Sequence, residues 1–431
     1  MNRRWMIAIG AVLAVAVIGV GTFNFVASKT EAVEGPAITL SADETDPEAF
    51  KLLYPAHYDS WAKTAEMHEP VLKYGSSEKK KSRLDQFPYM RTLWAGYGFS
   101  KEYNEARGHM YTLDDTLGGN GTEGTLRINE KTNLTCMYCK SAEVPGLIAQ
   151  MGDAFFNTKL LEGDNQELFK HPISCSDCHN PTTMELRITR PALIEAMARI
   201  GKPVEKATRQ EMRSLVCAQC HVEYFFNPND ANKVYFPWDK GFEPEDMYAY
   251  YEELGFSDWT HPQTGGGMLK AQHPEFEMFQ GSVHQRAGLS CADCHMPYMT
   301  QGNTKISSHW LTSPFRTFEQ SCTQCHKESF EEMGARVLHT QDRVKEALDR
   351  AGTANEAAIL AIEKAIQAGV DEETLNKARA LHREAQFYWD LASAENSFGF
   401  HNPQKFLETI ADSIDLARQA ELLVTQAMNG K

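Results

Sequence analysis

The residues of this 431-residue chain best suited to chemistry are its ten cysteines and fifteen histidines. Every cysteine belongs to a C-x-x-C pair: Cys136/Cys139, Cys175/Cys178, Cys217/Cys220, Cys291/Cys294 and Cys322/Cys325. Four pairs run directly into histidine, at His179, His221, His295 and His326, and the first runs into Lys140. Five pairs with none left over argue against a disulfide framework, which would scatter cysteines at irregular spacings in a much shorter chain. They also leave no lone cysteine to act as a catalytic thiol. C-x-x-C-H is the attachment motif for c-type haem. Two sulfurs on one turn can form thioethers to a porphyrin edge, and the adjacent imidazole then reaches the iron as proximal ligand. Zinc is the alternative, because it also uses C-x-x-C pairs. It takes them two at a time around one tetrahedral ion and has no need of a histidine after each of four pairs. Four c-type haems are therefore expected at these motifs; the first pair is either a damaged or non-haem pair or a fifth haem whose proximal ligand is Lys140.

Lys140 breaks the pattern. An amine binds iron through its lone pair, so a lysine ligand must be neutral, a state that burial beside a metal can arrange. Axial ligand identity tunes the iron. One site unlike the other four points to four relays and one reaction centre.

The elements that must position these groups fall into four stretches. Arg3 and Arg4 precede an uncharged run from Trp5 to Ser28. A positive flank before an apolar stretch is an export signal, and this one also approaches the ~20 residues of a bilayer span. Residues 1–28 are thus either a cleaved signal peptide or a retained membrane anchor, and both place the rest of the chain outside the cytoplasm. Residues 29–50 read as an acidic linker. From 51 to 335 the chain is rich in Gly, Pro, His and aromatics, with loop signals at Gly118-Gly119-Asn120-Gly121 and Gly265-Gly266-Gly267. A helix is expected around 191–200, opened by Pro191. From 336 to 431 Ala, Glu, Leu, Lys and Gln dominate, and the spacing predicts three long helices at 344–366, 372–395 and 403–428, built for packing or oligomerisation. The expected fold class is mainly α: a multihaem cytochrome c in which haems form much of the core. A net charge of -15 and a pI near 5.5 disfavour nucleic-acid binding.

One C-x-x-C-K ahead of four C-x-x-C-H resembles the ammonia-forming cytochrome c nitrite reductases, pentahaem periplasmic enzymes. The resemblance runs from about 50 to 405. It includes Leu93-Trp94-Ala95-Gly96-Tyr97, Arg107-Gly108-His109, Cys220-His221-Val222-Glu223-Tyr224, Lys270-Ala271-Gln272-His273 and His401-Asn402-Pro403.

The resemblance implies the six-electron, eight-proton reduction of nitrite to ammonium at a lysine-ligated haem fed by four bis-histidine haems. By the same resemblance His109 caps the haem of His221, His284 that of His326, His309 that of His179, and His401 that of His295. His273 stands over the open haem, and Tyr224 and an arginine complete the site. The arginine is Arg127 by its Thr-Leu-Arg match, with Arg107 as competitor, because the loop lengths on either side of Arg127 depart from the family pattern. Glu223, Gln272 and the carbonyls of Tyr224 and Lys270 are implied ligands of a calcium ion, for which such oxygens are suited. His57, His68, His171, His261, His339 and His382 are left without a role. The family also implies a homodimer formed by the C-terminal helices. Its electron donor is either a membrane quinol dehydrogenase cytochrome or a soluble multihaem carrier. Two alternatives stand beside this reading: a multihaem electron carrier without catalysis, and a related reductase of hydroxylamine or sulfite.

Overall fold

Three long helices dominate the C-terminal part of the structure, a computed structural model that describes residues 39–74 and 80–430. Of six helices named here, α1 is Pro191–Arg199, α2 Arg209–Ala218, α3 Pro244–Leu254, α4 Phe330–Gln367, α5 Glu372–Ala394 and α6 Pro403–Asn429. The start of α4 is written in a capping box. The Ser329 N–H donates to the Glu332 carboxylate at 2.9 Å, and the Ser329 hydroxyl oxygen accepts from the Glu332 N–H at 3.2 Å. This cap lies well upstream of the expected start at 344, because the residues after 329 have good helix propensity without a strong apolar period. Asp371 caps α5 and Asn402 caps α6, with Pro403 at the first helical position.

The three helices pack through small residues. Ala354, Ala358, Ala385, Ala417 and Ala420 are fully buried together, so the backbones approach closely. Gly352 is needed for the same reason, since a Cβ there would sit 2.2 Å from the Tyr89 ring. Tyr89 belongs to the segment from Leu84 to Trp94, whose apolar side chains share a core with Val344, Leu348, Trp389 and Phe406. Each such side chain contributes about 1.5–3 kcal/mol on burial. The long helices and the motif-rich region are thus one folded unit, running from Leu40 to Lys431, and the boundary expected at 335/336 is not a break.

The expected linker differs as well. Its part from Leu40 onward is folded: Asp46 caps a short helix Pro47–Lys51, and Leu40 and Phe50 are buried. The rest of that stretch, and the expected signal or anchor at 1–28, lie outside the described residues. Among the described residues no helix is long and apolar enough to cross a membrane. Among the described residues strands are few and short. Three antiparallel hairpins pair Phe225–Asn227 with Lys233–Tyr235, Trp259–Thr260 with Gly267–Met268, and Tyr298–Gln301 with Thr304–Ser307.

Candidate active site

The cysteine pairs sit on single turns, and the sequence shows how two of those turns are fixed. Ser174-Cys175-Ser176-Asp177-Cys178-His179 and Ser290-Cys291-Ala292-Asp293-Cys294-His295 share one device. In each, serine is the N-cap and aspartate three residues on returns the bond, with Ser174 N–H to Asp177 at 2.8 Å and Ser290 N–H to Asp293 at 2.8 Å. One turn brings residues three apart to the same face, so both sulfurs point the same way. The pair at Cys217 and Cys220 instead ends α2, which opens with a Thr208/Glu211 capping box. No two of the ten cysteines are joined in a disulfide.

Each histidine that follows a cysteine pair has a second histidine facing it. Ring centres are 6.1 Å apart for His179 and His309, 6.4 Å for His221 and His109, 6.2 Å for His295 and His401, and 6.3 Å for His326 and His284. A metal–imidazole bond is about 2.0–2.1 Å, so two rings bound on opposite sides of one ion have centres roughly 6 Å apart. The residues therefore fit the group that the motifs imply. Spacing alone does not select the pairs, since His221 and His273 are 6.3 Å apart and His261 and His382 are 6.0 Å apart. The latter two adjoin no cysteine pair: His261 Nε2 meets the Thr92 carbonyl at 2.9 Å and His382 Nε2 meets Gln386 at 3.0 Å.

Several of the facing rings are held by their other nitrogen. Nδ1 of His179 donates to the Met184 carbonyl at 2.8 Å, Nδ1 of His295 to that of Thr312 at 3.0 Å, and Nδ1 of His309 to that of Ser307 at 2.9 Å. This leaves Nε2 free for the partner side, the usual arrangement for a metal-binding imidazole.

The pairs also line up in space. The thiols of Cys139 and Cys220 are neighbours that shift one another, as are those of Cys217 and Cys291. Cys294 feels the charge of Cys322 and Cys325, and Cys178 feels that of Cys220. The order is first pair, third pair, fourth pair, fifth pair, with the second pair branching at the third.

Lys140 lies at one end of this row. Its main-chain carbonyl accepts from the Thr112 hydroxyl at 2.7 Å, and its side chain lies near both His109 and His273. Burial pulls the His273 imidazole down to about 3, and its buried Nδ1 has no hydrogen-bond partner among the described residues. Burial pushes the Tyr224 phenol well above its ordinary value, and the thiols of Cys139 and Cys136 add to that shift, whereas Arg127 opposes it. Arg127 also acts on Cys136, so Tyr224, Arg127 and the first cysteine pair are neighbours. The Arg127 guanidinium lies 4.2 Å over the Phe99 ring and, among the described residues, pairs with no carboxylate. Arg107 is committed elsewhere: it forms a forked ion pair with Asp115 and stacks 3.8 Å from the Tyr111 ring. A cation already neutralised in this way is a poor partner for an anion.

The four residues expected to hold calcium are close together. One Glu223 oxygen accepts from the Gln272 N–H at 2.6 Å and the other from the Tyr251 hydroxyl at 2.8 Å. The Gln272 amide donates to the Lys270 carbonyl at 3.0 Å. Burial pushes the Glu223 carboxyl well up, Asp258 up to about 7 and Glu277 up to about 8. Glu277 has one buried oxygen without a partner among the described residues. Buried carboxylates crowded in this way favour a cation beside them. Among the described residues no three His, Cys, Asp or Glu side chains converge on a metal position, so the amide and main-chain oxygens are essential to this fit. The Lys270 side chain points elsewhere, into a buried ion pair with Asp390 at 2.9 Å.

Two participants carry no signal of spacing or motif. Arg190, the residue before α1, is buried and donates to the carbonyls of Tyr138 at 2.8 Å and Ser141 at 3.0 Å, on either side of Cys139 and Lys140. Glu395, at the end of α5, is buried against His401. Both act through contacts between distant segments.

Comparison with known proteins gives a consistent result. The cytochrome c552 family profile matches residues 46–431. A cytochrome c-552 of Bacteroides fragilis is 38% identical over 433 residues, covering 99% of this chain and 86% of its own. A cytochrome c nitrite reductase subunit NrfA of Nitratidesulfovibrio vulgaris is 39% identical, covering 90% of this chain and 80% of its own. Among solved structures, the cytochrome c nitrite reductase catalytic subunit of Desulfovibrio desulfuricans superposes with a TM-score of 0.84 at 37% identity. That match covers 90% of this chain and 88% of the other, a protein described as having two calcium sites.

Proposed function

The chain belongs to the cytochrome c552 family, that of the cytochrome c nitrite reductases, and from that premise we propose that it reduces nitrite to ammonium in the periplasm at a haem ligated by Lys140. The observation that carries this reading is the grouping of Lys140, His273, Tyr224 and Arg127, which pairs with no carboxylate among the described residues, around the one cysteine pair without a following histidine.

Cys136, Cys139 and Lys140 would hold the reaction-centre haem. The four remaining cysteine pairs would hold relay haems, each between two histidines. When bound, these groups supply electrons and an iron that accepts the substrate nitrogen. The protein supplies the rest. Nitrite is an anion, and Arg127 offers positive charge in a chain whose net charge is -15. Each departing oxygen needs protons to leave as water. Tyr224 offers a hydroxyl donor, and His273 offers an Nδ1 that no protein group occupies among the described residues. Overall nitrite takes up six electrons and eight protons and yields ammonium and two waters. The calcium ion, held by Glu223, Gln272 and the carbonyls of Tyr224 and Lys270, would fix the backbone that carries Tyr224 and His273 and add positive charge nearby.

The row of thiols supports a relay from the fifth pair through the fourth and third to the first, with the second pair feeding the third. The donor would be a membrane quinol dehydrogenase cytochrome or a soluble multihaem carrier. The C-terminal helices would form a homodimer. Reduced viologen with nitrite should yield ammonium. Lys140→His should keep five haems by mass and lose most of that turnover. Unchanged turnover would remove Lys140 from its role, and no ammonium from the wild type would leave an electron carrier.

A further inference from the structure

The axial histidine pairs are not supported equally. His179, His295 and His309 give their Nδ1 protons to main-chain carbonyls, which are neutral. His221 Nδ1 lies 3.6 Å from Glu275, beyond a good hydrogen bond, and His326 Nδ1 lies 3.8 Å from the more exposed Glu328. His401 differs. Its Nδ1 donates directly to Glu395 in a short hydrogen bond. The Glu395 side chain is 0% exposed. Its second oxygen accepts from the Ser397 N–H at 2.7 Å and the Ser397 hydroxyl at 2.8 Å, and that hydroxyl accepts from the His401 N–H at 3.1 Å. The chain turns back between them through Phe398 and Gly399, both at positive φ. Gly399 presses on Val344, where a Cβ would lie 2.4 Å away, so this turn is anchored on α4.

We propose that Glu395 is a positioning residue that holds His401 and sets the haem carried by Cys291 and Cys294 at the lowest potential of the four bis-histidine haems. The inference rests on the reading of His401 as that haem's distal ligand. A carboxylate that accepts the Nδ1 proton gives the imidazole part of the character of an imidazolate. The other ring nitrogen becomes a stronger donor, and a stronger donor favours the ferric over the ferrous iron. A buried carboxylate is costly unless it is paired, and among the described residues the only basic side chain within ion-pair distance of Glu395 is His401, which as an iron ligand is neutral and meets it by a hydrogen bond alone. A neutral carbonyl, as at His179, His295 and His309, would orient the ring without that cost. The charge is therefore the feature to be explained. In the row of thiols the fourth pair stands between the third and the fifth. A low potential there makes the fourth haem an uphill station, which separates electrons on the fifth haem from those on the third.

The test is a spectropotentiometric titration of the five-haem protein, with electron paramagnetic resonance to follow each low-spin haem. Glu395→Gln should shift one low-spin haem to higher potential and leave the other three in place. Ser397→Ala removes a donor from the carboxylate, sharpens its pull on His401, and should shift the same haem to lower potential. His401→Gly should convert one low-spin haem to high spin. Four surviving low-spin haems in His401→Gly would overturn the ligand reading. If one is lost there, but Glu395→Gln moves none or moves all four equally, the role of Glu395 is overturned while the ligand reading stands. Should Glu395→Gln fail to retain its haems, the Ser397→Ala shift decides: a downward shift of one haem sustains the proposal, and no shift ends it.

Discussion

Arg190 meets Asp177 at 2.7 Å in a buried ion pair that ties the second cysteine motif to the first. Asp177 is the capping residue of the Cys175–Cys178 turn, and the same guanidinium holds the carbonyls that flank Cys139 and Lys140. One side chain thereby sets the position of the lysine relative to a neighbouring haem motif. Arg190→Ala leaves Asp177 buried without its partner, a loss of about 3–5 kcal/mol. The thermal midpoint of the holoprotein should fall clearly, and Arg190→Lys should recover only part of it, because an ammonium cannot serve three acceptors in the plane of a fork. An unchanged midpoint in the alanine variant would show that the clamp is idle.

The two candidate arginines should separate by what their removal does. Arg127→Ala should lower kcat/KM for nitrite by about a hundredfold, as expected when one preorganised donor is lost from a reaction centre. Arg107→Ala should cost stability through Asp115 and leave turnover per folded molecule near the wild type. Steady-state kinetics beside a thermal melt distinguishes them. The reverse pattern would exchange their roles.

Calcium removal offers a third measurement. Chelation should lower nitrite turnover, and added calcium should restore it, while haem content stays constant. Glu223→Gln should weaken calcium retention, read by elemental analysis, because it removes the one carboxylate of the expected ligand set. Equal calcium in the variant and the wild type would disprove that role of Glu223.

His382 supplies a pH dependence. Burial lowers its imidazole to about 3, well below the ordinary value of 6.5, so the folded protein binds this proton less readily than the unfolded chain. Its contribution to stability is complete above pH 6.5 and is lost as pH falls towards 3, by at most about 1.4 kcal/mol per pH unit. His382→Gln has no such group. The stability difference between wild type and variant, from thermal or denaturant melts, should shrink steadily as pH falls through that window. A difference that does not vary with pH would refute the assignment.

Much of the site is legible locally because its chemistry is local. A C-x-x-C-H motif needs only one helical turn, and Ser174 with Asp177, or Ser290 with Asp293, encodes that turn within six residues. The long helices are legible from their apolar period, although α4 begins earlier than the period shows, at the Ser329 cap. The distal histidines are different. Their assignment came from family resemblance, since nothing in the spacing of His109 or His401 says which ring it will face.

The sequence by itself determined the number of C-x-x-C motifs and the kind of cofactor they take, c-type haem, and it singled out Lys140 as the exception, because an attachment motif is a property of a few consecutive residues. Only the tertiary structure decided that His309 faces His179, that Cys139 neighbours Cys220, that Arg107 pairs with Asp115 while Arg127 pairs with no carboxylate among the described residues, and that Glu395 is buried against His401. The first of these joins residues far apart in the chain, and the last depends on a turn anchored against α4. Packing of the long helices and the folded loops sets those distances, and no local pattern of residue types carries them.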